Sequence, residues 1–480
     1  MISVETSRER LGVPRQTDFV DCCFMGWIPG VTSSVFRGHG LQFEKGTGDY
    51  QLKASEISEV CEMGREIAMK RPVHRVAGTH GPGAVIYESA SGTPYRLDEI
   101  TRAEICWHLR DPVATELLLR RGDRLSAPIA EKLDVAIAAE EEAFARATAF
   151  LEGLEVLFRE TMFADLCMNR RPWARPWILL EGGLHLWSRC VAEVGRKFRF
   201  PIGALENCWI PDHFILTPET GAAVNRFALL YDRARGRELD VTRIRSTVEY
   251  LARFTVRKEL PEWNREAYPW KFADEIPTTY EGSIVDHKYL ILGQVPYDAS
   301  ITMDSDTMTV KRILWHLRNE LGDAELRSGG ISYRPHPMEE ASRLQGHTSA
   351  HSFEVWCQEH RYPYQVIDGA ELGLVAHLDQ LSDYTVVVTA NSQAGLEAAA
   401  VLDVFTYGRA FYDCAGVTRK RWSEAPVTGA ARQARWAHFV RWMLEKLYVP
   451  KKAFGRDAIK ERLKKWTNEG FSFFDPLEDF

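Results

Sequence analysis

Paired cysteines, long apolar runs and an excess of positive charge are all missing from this 480-residue chain. Its nine cysteines, Cys22, Cys23, Cys61, Cys106, Cys167, Cys190, Cys208, Cys357 and Cys414, lack the paired spacing of a disulfide framework or a zinc site. They read as reduced thiols of a cytoplasmic protein. The most apolar early stretch, Phe19 to Val31, contains Asp21 and has no basic lead-in, so it reads as neither a signal peptide nor a bilayer span. No other segment is a spanning candidate. A net charge of −7 excludes a surface built as a whole for nucleic acid, which requires an excess of Lys and Arg.

What is present describes an ordinary globular protein, 45% hydrophobic and 26% charged, and longer than one hydrophobic core usually supports. Two domains are therefore expected. The first 150 residues are turn-rich at Gly38 to Gly48 and Gly78 to Gly83, then helical in pattern, most clearly from Ala127 to Phe158, where Ala, Leu and Glu dominate. Pro82 interrupts the glycine run and no strand pattern leads into it, so it reads as a surface turn rather than a dinucleotide loop.

From about Pro176 short apolar runs alternate with helical patterns: Trp177 to Leu180, a helix to Lys197, then Phe200 to Leu205. A polar stretch, Glu259 to Gly282, follows as the domain connection. A second alternating block then predicts strands at Tyr289 to Gln294, Gly330 to Arg334 and Thr385 to Thr389, and helices at Thr307 to Leu321, Ser352 to His360 and Gln393 to Leu402. Such alternation is the sequence form of parallel strands with crossover helices, an α/β fold. Ligands of open parallel sheets bind beyond the carboxyl ends of the strands.

Reading off those ends gives Glu206, then Gln294 and Asp298, then Arg334 and His336, then Asn391 and Ser392. Each has a bland explanation: Asp298 as a helix cap, His336 as a loop histidine before Pro337, Ser392 as an N-cap. Together they fit one chemistry. Asn391 and Ser392 stand where a helix begins, a natural seat for phosphate, and His336 is suited to assist that phosphate as it leaves. Glu397, further along the helix, is a candidate for a ribose hydroxyl. Asp298 and Glu206 form a carboxylate pair suited to nucleophilic and acid/base work at a sugar carbon.

The segments Gln294-Val-Pro-Tyr-Asp298, Arg334-Pro-His336-Pro337, Thr389-Ala-Asn391-Ser392-Gln-Ala-Gly-Leu-Glu397-Ala and Tyr407-Gly-Arg-Ala-Phe-Tyr412-Asp-Cys-Ala-Gly416 resemble the capsule polysaccharide biosynthesis family of bacteria. Upstream, Leu205-Glu206-Asn207 with Pro211, and then Gly221 to Asn225, is similar to that family's Glu-x-Gly and Gly-Val-Asn stretch, with Cys208 where the pattern has Gly and Ala222-Ala223 enlarging the second part.

The resemblance implies a GT-B-like fold of two Rossmann-like domains with parallel sheets facing across a cleft, plus a helical N-terminal extension. It also implies a retaining glycosyltransferase that moves Kdo from CMP-Kdo to a saccharide or lipid-linked acceptor. By resemblance Asp298 is the nucleophile of a glycosyl-enzyme intermediate, Glu206 the general acid/base, and His336 the phosphate contact. Gln294, Arg334, Asn391, Ser392 and Glu397 complete the nucleotide site. The expected division is 1–150, of unclear role; 151–280, on the acceptor side; 281–430, binding the nucleotide sugar; and 431–480, a basic helical segment crossing back to the first domain. Rival readings are a transferase for another CMP-activated acidic sugar such as sialic acid, a sugar-nucleotide epimerase, and a non-catalytic assembly or export factor.

No metal is expected, because a CMP donor carries one phosphate whose departure a helix start and a histidine can assist. Asp304-Ser305-Asp306 has the Asp-x-Asp form of a cation site, but its position before a helix favours capping. In the basic tail, Trp436, Phe439, Val440, Met443, Leu444 and Leu447 recur at helical spacing among Arg432, Arg435, Arg441, Lys446, Lys451 and Lys452. Two readings stand for it: contact with an anionic inner-membrane surface, or packing of the apolar stripe on the protein itself.

Overall fold

In the computed structural model, the structure describes residues 54–76, 84–109, 127–159, 178–181, 184–198, 202–207, 213–218, 287–295, 298, 300–301, 309–336, 349–367, 381, 385–414, 416–426, 428–450, 462 and 465. The chain forms two compact units, Met1–Glu206 with Thr217–Gly221, and Asn207–Leu216 with Ala222–Phe480.

The first unit is built on helices α1 (Ala54–Ala68), α2 (Leu97–Leu109) and α3 (Ala127–Leu157). The Ala- and Glu-rich composition read as helix produces α3, which runs unbroken through residue 150. Strands β1 (Val73–Arg75), β2 (Val85–Glu88) and β3 (Pro94–Arg96) form an antiparallel sheet, its second turn closed by Gly92 at φ +78°. Only three or four residues long, these strands carry too short an alternation to stand out in sequence.

Two glycines let α1 and α3 approach backbone to backbone. A Cβ on Gly64 would stand 1.9 Å from the Ala149 carbonyl oxygen, and one on Gly153 would stand 1.9 Å from that of Val60. Strand β4 (Ile178–Glu181), helix α4 (Leu186–Lys197) and the parallel strand β5 (Ile202–Asn207) make one crossover. A single apolar cluster joins Ile57, Val60, Tyr87, Phe150 and Leu154 to Ile178, Val191 and Ile202. The described residues between 54 and 159 therefore share their core with the crossover.

Buried polar groups hold the hairpin to this core. Glu152 accepts from Tyr87 Oη at 2.8 Å and Ala90 N–H at 2.7 Å, and Glu155 accepts from Ser89 Oγ, Tyr95 Oη and Lys197 Nζ at 2.9, 2.5 and 2.6 Å. Burial raises the Glu155 carboxyl, but these donors outweigh it and hold the group below its ordinary value.

In the second unit, strands β7 (Tyr289–Leu292), β8 (Ile331–Arg334), β9 (Tyr364–Val366), β10 (Val386–Thr389) and β11 (Asp403–Thr406) form one sheet in the order β11-β10-β7-β8-β9. Every pairing is parallel. The chain starts at the central strand, winds to one side, then crosses over and winds to the other, the doubly wound order of dinucleotide-binding folds. The switch point lies between β7 and β10.

Helices α5 (Val310–Leu321) and α6 (Asp323–Gly329) join β7 to β8, α7 (Ser349–His360) lies between β8 and β9, and α8 (Gln393–Ala398) between β10 and β11. Strands β7 and β8 are buried at all four positions, as expected of a sheet covered on both faces. Ile291, Val388 and Phe405 from the strands pack with Leu314, Leu317 and Phe353 from the helices.

Helix α9 (Gly429–Lys446) leads into β12 (Tyr448–Pro450), which pairs antiparallel with β6 (His213–Pro218), Tyr448 opposite Ile215. The apolar stripe of the tail is packed on the protein: Trp436, Phe439, Val440, Met443 and Leu447 are buried, and Leu444 is half-buried. Among the described basic residues, Arg432 donates to the Val401 carbonyl, Arg441 pairs with Glu445 at 2.8 Å, and Arg462 donates to the Glu445 carbonyl at 2.7 Å. No described helix is long and apolar enough to cross a membrane. The Asp304-Ser305-Asp306 triplet, Phe19 to Val31, Gly78 to Gly83 and the 259–282 connection lie outside the described residues.

Candidate functional site

The carboxyl ends of β7 and β10 meet at the switch point, and both carry residues singled out in the sequence. Gly293 follows β7 and donates its N–H to the Arg334 carbonyl at 2.8 Å. A Cβ there would stand 2.6 Å from Tyr333 Oη and 2.9 Å from the His336 backbone nitrogen. Glycine is needed because the chain leaving β7 touches the chain leaving β8, and the contact brings Gln294 and His336 to one sheet end.

Beyond Gln294 the backbone turns, with Asp298 N–H donating to the Val295 carbonyl at 3.0 Å. Asp298 Oδ1 accepts two hydrogen bonds from one residue: the Ser300 N–H at 2.8 Å and the Ser300 hydroxyl at 2.6 Å. This side-chain-to-backbone turn engages one oxygen of the carboxylate. Both ends of the Gln294 amide are used as well. Its Nε2 donates to Ser300 Oγ at 3.4 Å, and its Oε1 accepts the Asn391 N–H at 3.3 Å.

Asn391 closes the ring from β10, donating from Nδ2 to the Ser300 carbonyl at 3.0 Å. It is 7% exposed, and its Oδ1 accepts no hydrogen bond from the described residues. A buried amide oxygen of this kind is suited to an N–H or O–H of a bound molecule.

Ser392 precedes α8 without capping it through its side chain. Its N–H donates to Thr389 Oγ1 at 3.2 Å, and its carbonyl accepts from the Tyr412 hydroxyl. Gly395 makes this possible, since a Cβ there would stand 2.2 Å from that hydroxyl oxygen. Burial, reinforced by the charges of Asp413 and Glu397, pushes the Tyr412 phenol well above its ordinary range, so it remains a donor. From α9, Trp436 Nε1 donates to the Leu396 carbonyl at 2.6 Å. The short helix α8, with Glu397 buried on it, is thereby held from two sides.

The loop after β11 is fixed by buried charge. Arg419 grips Asp403 with Nε at 3.0 Å and with Nη2, and donates to the Glu424 carbonyl at 3.1 Å. Asp413 accepts from Thr406 Oγ1 at 2.6 Å and Thr418 Oγ1 at 3.0 Å and pairs with Lys420. Burial raises the Asp413 carboxyl above its ordinary value, against the opposing pull of Lys420 and the two hydroxyls.

The structure therefore joins Gln294, Ser300 and Asn391 in one hydrogen-bonded ring, with Asp298 bonded to it through Ser300 and Ser392 adjoining it at the head of α8. Arg334 is the buried last residue of β8, and His336 follows two positions later. Glu206 occupies the fifth position of β5, in the other compact unit, and its side chain lies outside the described residues. Two members of the ring's setting were not read as site residues: Ser300, which makes the ring, and Tyr412, which holds its neighbour. The signal for Ser300 was present in the Asp-x-Ser spacing, which favours a side-chain-to-backbone turn.

Residues 253–451 match the family model described as capsule polysaccharide biosynthesis protein, so the resemblance drawn from the motifs is borne out over that stretch. No curated protein sequence matches the chain. Among the solved structures that match is the beta Kdo 2,7 transferase KpsC of Thermosulfurimonas dismutans. It is 16% identical, over 58% of this chain and 79% of its own, with a TM-score of 0.32.

Proposed function

We propose that this chain is a retaining glycosyltransferase of capsule or lipopolysaccharide synthesis, moving Kdo from CMP-Kdo to a saccharide or lipid-linked acceptor. The observation that carries the reading is the ring of Gln294, Ser300 and Asn391, with Asp298 bonded to Ser300, at the switch point of a parallel sheet, inside the stretch that matches the capsule family.

In this reading the donor phosphate lies against Ser392 and the first N–H groups of α8, with His336 beside it and Arg334, Asn391 and Glu397 toward the nucleoside. Asp298 Oδ2 attacks the anomeric carbon while the bond from that carbon to the phosphate oxygen breaks, and CMP leaves with the electron pair. An acceptor hydroxyl then displaces Asp298 from the same carbon, losing its proton to Glu206, and two inversions give net retention. A GT-B-like organisation belongs to the same proposal. One phosphate leaves, so no cation bridging two phosphates is called for.

The test is release of CMP from CMP-Kdo and from CMP-sialic acid by the purified chain, with and without EDTA. Release from CMP-Kdo that EDTA leaves intact supports the reading. Preference for CMP-sialic acid would move the donor assignment to the related acidic sugar, and no release from either would remove the enzyme reading.

A further inference from the structure

We infer that Ser300 is a positioning residue of the reaction, fixing which oxygen of Asp298 attacks and stabilising that carboxylate when it is displaced. The inference rests on the glycosyltransferase reading above. Its basis is geometric: Ser300 places its N–H at 2.8 Å and its hydroxyl at 2.6 Å on the same oxygen, Oδ1, and among the described residues these are the bonds that the carboxylate receives.

Two donors on one oxygen set the rotation of the carboxylate and, among the described residues, leave Oδ2 with its lone pairs unengaged. Ser300 is itself held twice, by Gln294 Nε2 at 3.4 Å on its hydroxyl and by Asn391 Nδ2 at 3.0 Å on its carbonyl. The hydroxyl accepts from Gln294 and so directs its proton to Asp298. Gln294 bonds through both amide ends, to Ser300 and to Asn391, and so supports Ser300.

The same bonds serve both steps. When Oδ2 bonds to the anomeric carbon and the phosphate leaves, Oδ1 becomes the carbonyl oxygen of an ester and keeps both donors. When the acceptor oxygen bonds to that carbon, the ester bond to Oδ2 breaks and the electron pair returns to the carboxylate. The acceptor proton passes to the general base, assigned to Glu206. Charge that grows on the departing carboxylate meets donors already in place, which lowers the barrier of this second step.

The experiment compares Ser300→Ala and Ser300→Thr with the wild-type chain, using CMP-Kdo as donor and reading kcat, donor KM and the lifetime of any sugar adduct by intact-protein mass. Loss of one charge-assisted hydrogen bond predicts a fall in kcat of roughly ten- to a hundredfold in Ser300→Ala. Donor KM should stay within about twofold, the adduct should persist longer, and Ser300→Thr should recover most of the rate. An unchanged kcat in Ser300→Ala, with Asp298→Ala inactive, overturns the inference and leaves the glycosyltransferase reading standing. A loss confined to donor KM overturns it likewise. Full turnover by Asp298→Ala removes the reading and the inference together.

Discussion

The side-chain amide of Asn391 donates to the carbonyl of Ser300 at 3.0 Å, tying the end of β10 to the turn that carries Asp298. The same residue spans the two ends of the proposed chemistry, because it also precedes the start of α8. Replacing it by aspartate keeps the volume, removes the Nδ2 donor and adds a negative charge where the donor phosphate is expected. Asn391→Asp should weaken CMP binding about tenfold or more in a calorimetric titration. CMP affinity equal to that of the wild-type chain would separate Asn391 from the nucleotide.

The buried pair of Arg419 and Asp403 gives a stability prediction. Both side chains are 10% exposed and joined through two hydrogen bonds, so removing one partner strands the other charge. Arg419→Met should destabilise the second unit by on the order of 3 kcal/mol in urea unfolding. The double change Asp403→Leu with Arg419→Met should recover most of that loss, because it leaves no unpaired charge. Equal losses in the single and double variants would contradict this account. CMP affinity should fall in the single variant too, as the loop from β11 carries Tyr412, which holds Ser392.

His438 supplies the pH dependence. It is buried on α9, and burial, with Arg441 nearby, lowers its pKa to about 4. The unfolded chain binds this proton below its ordinary value near 6.5 and the folded chain only near 4, so the unfolded state holds more protons between those limits. The contribution of His438 is therefore complete above pH 6.5 and is lost as the pH falls toward 4. The wild-type chain should lose more stability between pH 7 and 5 than His438→Gln, measured by urea midpoints in parallel. Identical acid sensitivity in the two proteins would exclude His438 as the titrating group.

The second unit was largely legible in sequence because its strands are covered on both faces and read as apolar runs. Tyr289 to Gln294, Gly330 to Arg334 and Thr385 to Thr389 each contain an observed strand, the first shortened by two residues at its end and the other two by one residue at their start. The three-residue strand at Tyr364 was missed, as was β11 at Asp403, where a buried salt bridge places a carboxylate in the sheet and breaks the apolar run.

In the first unit, the hairpin of β1 to β3 escaped because its order comes from distant partners. Glu152 and Glu155 on α3 lie about 60 residues away in sequence from the Ser89, Ala90 and Tyr95 groups that they hold. At the site, strand-end logic found Gln294, Asp298, Asn391 and Ser392. It did not find Ser300, whose role depends on both its backbone and its hydroxyl meeting one oxygen.

The most direct test of the account is intact-protein mass after mixing the chain with CMP-Kdo in the absence of acceptor. The account predicts CMP release with an adduct of one sugar on the wild-type protein, and neither adduct nor turnover in Asp298→Ala. Wild-type levels of transfer by Asp298→Ala, to any acceptor, would contradict it.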